Sequence, residues 1–185
     1  MPRKIKVLGM KRKREHKTNY YKRLKLLKGR RTRLVVRVFS RSILGQFVDY
    51  APKGDKVIVG VNSISLRDLG WQYNCCNLPS AYLAGLMLGK KGLEKGVKDA
   101  ILDMGFHRSV PGSRVFAFVK GVIDAGVSVP ISEEMLPKDS RLRGEHIAGY
   151  LKSAPKAQFT RYKKLKKMDI VKDFETVKGK ILDGK

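Results

Sequence analysis

Residues Gly29–Asp49 read GRRTRLVVRVFSRSILGQFVD, and this stretch decides the fold. Its segment LVVRVF, Leu34–Phe39, is rich in β-branched residues, which suit the pleated surface of a strand. Ser40-Arg41-Ser42 interrupts the run, and ILGQFVDY then resumes the apolar pattern up to Tyr50. Two β-prone runs separated by turn residues predict a hairpin. Arg30, Arg31 and Arg33 lead into the first strand, and Arg37 lies inside it. A basic arm therefore feeds straight into a sheet. This junction is where a polyanion is expected to meet the protein.

Working outward, APKGD at Ala51–Asp55 is a turn signal, and KVIVGVN at Lys56–Asn62 is a third strand. Val36 and Val38 fall opposite Val35 and Phe39 on the first strand, which predicts helices over both sides of the sheet. The connector SISLRDLGWQYNCC, Ser63–Cys76, carries Trp71 and Tyr73. The tryptophan can be a packing lid or a platform for base stacking. NLPSAYLAGLMLGKKG then predicts a buried helix, with Asn77 as N-cap and Pro79 in the first turn. Leu78, Tyr82 and Leu86 repeat at helical spacing, and Gly89 with Lys90-Lys91-Gly92 is the expected stop. VKDAILDM (Val97–Met104) reads as a fourth strand, and Arg114–Val127 as a second helix closed by Gly126. Short helices are expected within GEHIAGYLKSA and over Asp169–Leu182.

The predicted class is α/β: a mixed sheet of three antiparallel strands plus a further strand, packed with helices. Its core order is β-β-β-α-β-α, between basic N- and C-terminal extensions. The expected divisions are an arm at residues 1–32, a core at 33–130, a closing segment with a short helix at 131–151 and a basic extension at 152–185. Upstream of the hairpin, KTNYYKRLKLLKGRR predicts a helix capped by Asn19 and ended by Gly29, with Tyr20, Leu24 and Leu27 on its docking face.

Charge narrows the function. The 185 residues hold 41 Lys and Arg against 16 Asp and Glu, a net +25. Self-repulsion of that size calls for a polyanionic partner: RNA, DNA or an anionic membrane surface. No apolar run approaches the roughly 18 residues of a membrane span. The N-terminal apolar residues are scattered among lysines and arginines, so a soluble, intracellular protein is expected. The adjacent Cys75 and Cys76 suit neither a structural disulfide nor a metal site. His16, His107 and His146 lack zinc-site spacing, and no phosphate loop or nucleophile elbow occurs. Asp49, Asp55, Asp68, Asp99, Asp103 and Asp124 read as turn caps and surface charges. No enzyme, cofactor or small-molecule substrate is expected.

The basic residues cluster in two blocks, one from the N-terminus to Arg41 and one from Lys152 to Lys167. Aromatics lie among them: Tyr20, Tyr21 and Phe39 in the first, Phe159 and Tyr162 in the second. Arginine forks with aromatic faces suit unpaired RNA bases better than a DNA duplex. RNA is the expected partner.

Several segments together carry a resemblance. KTNYYKRLKLLKGRRTRLVVR, DYAPKGDKVIVG, LGWQYNCCNLPSAYLAGLMLGKKG, AILDMGFHRSVPGSRVFAFVKGVIDAGVSVP and RLRGEHIAGYL follow in order over most of Lys17–Leu151. In these segments the chain resembles the L-eighteen family of large-subunit ribosomal proteins, archaeal and eukaryotic type, whose eukaryotic member is L-five. The resemblance implies a structural protein of the cytoplasmic ribosome. It would bind 5S rRNA and help attach it to large-subunit rRNA in the central protuberance, beside neighbouring ribosomal proteins. Carried onto this sequence, the RNA-binding candidates are Lys17, Tyr20, Tyr21, Lys22 and Arg23 in the arm and Arg30, Arg31, Arg33 and Arg37 at the strand entrance. Arg41 at the hairpin and Trp71 in the connector complete the set. The family usually has an acid where Asn19 stands and fewer arginines in GRRTR, and the match fades after Leu151. The competing readings are an RNA-processing enzyme with an RNase-H-like core and a ribosome-biogenesis RNA chaperone.

Overall fold

The computed structural model describes residues 8–153 and 169–184. Of the expected basic block from Lys152 to Lys167, residues 154–167, with Phe159 and Tyr162, lie outside them. The sheet contains β1 (Arg33–Val38), β2 (Ile43–Asp49), β3 (Lys56–Asn62) and β4 (Ile101–Asp103), in the order β3-β2-β1-β4. The first three strands are antiparallel, and β4 runs parallel to β1. This is the mixed sheet that the sequence predicts. The β1–β2 turn falls at Ser40-Arg41-Ser42, with the Phe39 amide donating to the Ser42 carbonyl at 2.8 Å. A parallel partner needs a crossover, which a 3-10 turn (Ser63–Arg67) and a long helix supply.

Seven α-helices occur among the described residues: α1 (Lys11–Arg14), α2 (Tyr20–Lys28), α3 (Leu78–Glu94), α4 (Arg114–Asp124), α5 (Asp139–Arg143), α6 (Glu145–Ser153) and α7 (Ile170–Asp183). A capping box starts α3: Asn77 Oδ1 accepts from the Ser80 amide at 2.9 Å, and Ser80 Oγ accepts from the Asn77 amide at 3.1 Å. The helix runs through its expected stop. Gly89 and Gly92 are packing notches inside it. A Cβ at either would stand 2.5 Å from Ala125 or from the Phe47 ring. Termination waits for Gly96, at φ +81°.

Helices α3 and α4 both lie on one sheet face, over Leu34, Val36, Ile43, Phe47 and Val61, all buried. Gly45 on β2 leaves the room that the Phe118 ring of α4 occupies. Helices over both sides were expected; among the described residues α2 and the arm reach the second face, and they cover it incompletely. The cause lies in β1, whose alternate side chains on that face are Arg33, Val35 and Arg37 rather than a continuous apolar row.

Helix α7 presents Ile170, Phe174, Val177 and Ile181 as one buried stripe against the core. Lys90 of α3 donates to the carbonyls of Ile181 and Leu182 at 3.1 and 2.6 Å, closing its C-terminal end. The terminal helix is therefore packed into the core.

Candidate nucleic-acid interface

Helix α2 begins where Asn19 Oδ1 accepts from the Lys22 amide at 3.1 Å, as the sequence predicts. Its end differs in detail. Gly29 is in the right-handed region, and the left-handed residue is Arg30, at φ +48°. The docking face also differs. Arg23, Leu26 and Leu27 turn inward beside half-buried Tyr20, while Leu24 is 59% exposed. Arg23 takes the inward position because its guanidinium meets Asp55 in a two-pronged pair, both contacts at 2.7 Å.

That pair begins a chain of charges. Asp55 Oδ2 also accepts from Arg33 at 2.7 Å, and Arg33 donates to Asp103 Oδ2 at 3.2 Å. Arg37 then donates to Asp103 Oδ1 at 3.2 Å and to its carbonyl at 2.7 Å. Three guanidiniums alternate with two carboxylates, tying α2, the turn before β3, β1 and β4 together. The hydrogen bond from Arg23, joined by that from Arg33, holds the Asp55 carboxyl below the ordinary value of 3.8, against the opposing effect of burial. The same pairing raises Arg23. Asp55, in an exposed turn, and buried Asp103 thus serve as counter-ions to these guanidiniums, a role that the expected turn caps and surface charges leave out; Asp103 Oδ1 also caps its own turn, accepting from the Gly105 amide at 2.9 Å. The two carboxylates converge on a guanidinium, an arrangement that neutralises charge and leaves little for a metal ion.

The predicted RNA-binding residues separate into three groups. Arg23, Arg33 and Arg37 are held in the ion-pair chain, and Arg33 is only 2% exposed. Trp71 is buried in the core, edge-on to Tyr73 at 5.0 Å, with its indole N–H donating to the Asn74 carbonyl at 3.3 Å. It is the packing lid, and neither ring face is open to a base. Lys17, Tyr21, Lys22, Arg30, Arg31 and Arg41 remain exposed, with Tyr20 half-buried among them. Lys17 pairs with Glu15 at 2.8 Å, and Arg31 stands 3.8 Å from Asp99, both at the open surface.

The open sheet face and the overhanging arm enclose a groove of about 290 Å³. Arg12, Lys17 and Lys22 form its rim, and Val35, Arg37 and Gln46 lie on its floor. On the outer side of α2, Lys25 Nζ sits 4.4 Å above the ring of Tyr21, which is 69% exposed. Lys25 and Lys28 extend this basic face and are absent from the sequence-derived set; their place on the same short helix as Tyr21, with Lys25 four residues on, was the available signal. At the far end of the sheet, Phe39 and Phe106 are both about half exposed. The parallel pairing of β1 with β4 brings their loops together, and the Val38 amide donates to His107 Nε2 at 3.4 Å. Nothing local in sequence announces that meeting.

A strongly basic α/β protein, with one helix-covered sheet face and one open cationic face, belongs to the polyanion-binding class. Comparison with known proteins makes the class specific. Residues 4–101 match the family described as "Ribosomal large subunit proteins 60S L5, and 50S L18". The large ribosomal subunit protein uL18 of Thermofilum pendens is 51% identical over 143 residues, spanning 77% of this chain and 73% of that relative. The chain belongs to this family of large-subunit ribosomal proteins, and its place is the ribosome. No helix among the described residues is long and apolar enough to cross a membrane.

Proposed function

We propose that this protein binds 5S rRNA and helps attach it to large-subunit rRNA in the central protuberance, without catalysis. The observation that carries the reading is the groove side of the sheet, where cations from the arm, α2 and β1 converge on one open face. Family membership supplies the ribosomal setting. Exposed Lys17, Tyr21, Lys22, Arg30, Arg31 and Arg41 meet the RNA, joined by Lys25 and Lys28. Arg23, Arg33 and Arg37 hold the surface in shape. Residues 1–32 act as an RNA-binding arm clipped to the core through Arg23. The processing-enzyme reading loses its support where Asp55 and Asp103 close on Arg33. The test is binding to 5S rRNA and to a tRNA of similar size across a salt series, with and without residues 1–32. A preference for 5S rRNA that survives at high salt and weakens without the arm is the expected result. Equal affinities lost together as salt rises would reduce the protein to a generic polycation.

A further inference from the structure

Arg33 lines the groove and is 2% exposed. Both of its terminal nitrogens are engaged, yet its buried Nε has no hydrogen-bond partner. Arg33 is therefore a fixed support beneath the groove, its Nε out of a ligand's reach. The observation that points to a ligand is the charge of the groove. The groove is lined by six cationic side chains against two carboxylates, an excess that the internal ion pairs do not consume. Arg12 donates to the Thr18 hydroxyl at 2.9 Å, and neither it nor Lys22 pairs with a carboxylate among the described residues.

We propose that the groove receives one unpaired nucleotide of the bound RNA, its phosphate on the Arg12–Lys22 rim and its base over the Arg37 guanidinium. This rests on the rRNA-binding reading but not on which RNA is the partner. Volume limits the occupant: about 290 Å³ is near the lower end of small-molecule sites, roughly 300 Å³, and admits no duplex. Charge then orients it. A phosphate on the floor would face Asp55 and Asp103, whereas the rim offers only cations and the neutral Thr18 and Asn19. The floor suits a base. Guanidinium planes stack on unpaired bases, and the Gln46 amide supplies both a donor and an acceptor for a base edge. Gly60 stands beside Gln46, where a Cβ would press to 3.2 Å from Gln46 Cγ. The glycine keeps that amide free to turn. Val57, 49% exposed on β3, forms the adjoining wall.

The experiment is an amide-shift NMR titration of the full chain with each of the four nucleoside monophosphates and, separately, with inorganic phosphate. Nucleotide is expected to shift Gln46, Val57 and Gly105, while phosphate alone shifts only rim residues such as Lys17 and Lys22. Val57→Trp, which fills the groove and keeps every cation, should abolish the floor shifts, with a melting curve confirming that it folds. Gln46→Leu should weaken the best nucleotide about tenfold and serves if the tryptophan variant does not fold. Identical rim-only shifts from phosphate and nucleotides would leave a bare anion site and overturn the proposal. So would unchanged nucleotide binding by Val57→Trp, or no shift at all. The titration contains no ribosomal RNA, so a loss of 5S preference in the salt series and a loss of the floor shifts are separate results.

Discussion

At the scale of single residues, the charged side chains divide labour by burial rather than by position in sequence. Arg33 and Arg41 look alike in the hairpin sequence, yet one is sealed between Asp55 and Asp103 and the other is exposed. Removing one member of a buried pair strands the other. Asp103→Asn, which leaves Arg33 and Arg37 short of a carboxylate, should lower unfolding free energy by about 3 kcal/mol, read as a shifted urea midpoint. Acid should act on the same chain. The Asp55 carboxyl titrates below its ordinary value in the folded state, so its stabilising contribution is complete above the unfolded value of 3.8. That contribution is lost as pH falls from there through the lower folded value. Melting temperature in an acid series should drop less steeply in Asp55→Asn than in the parent, from a lower starting point. Arg30 offers a separate test. Its left-handed conformation costs an arginine more than a glycine, so Arg30→Gly should raise stability by up to about 1 kcal/mol while weakening RNA binding. A gain in stability with unchanged RNA affinity would remove Arg30 from the interface.

At the scale of elements, glycines set how closely the helices meet. Gly85 on α3 lies against the Phe118 carbonyl, and Gly121 on α4 lies against the Tyr82 carbonyl, so the two backbones touch without intervening side chains. A methyl group at either position has nowhere to go but into backbone. Gly85→Ala should therefore destabilise by about 3 kcal/mol, at the upper end of ordinary overpacking, as measured by thermal unfolding. Helix α7 makes the opposite case, an element defined by what it buries. Phe174 is 2% exposed and lies 5.6 Å from the Tyr82 ring between centroids. Phe174→Ala should cost roughly 3–5 kcal/mol and lower the urea midpoint. A near-neutral result would show the helix to be an appendage. The periodicity of α7 was legible from Ile170, Phe174, Val177 and Ile181, but its partner was not, because α3 lies far earlier in the chain.

At the scale of the whole molecule, the chain carries a net charge of +25, and the fold brings six cationic side chains against two carboxylates to one open groove. Replacing Lys22, Lys25 and Lys28 by Gln should reduce the slope of log affinity against log salt by roughly three, with little change in stability. The sequence by itself determined the strand runs, the hairpin turn, the caps at Asn19 and Asn77, and the need for a polyanion. Each of these depends on neighbours in the chain or on composition alone. The resemblance in its ordered segments already pointed to the ribosomal family that the comparisons show. Tertiary structure decided the rest. It placed α3 and α4 on one face, made Gly89 and Gly92 notches instead of stops, and moved Trp71 into the core. It also drew Asp55 and Asp103, 48 positions apart in the chain, onto Arg33. Local rules cannot see such outcomes, because the burial that makes an arginine structural and its neighbour available is fixed only when distant strands align.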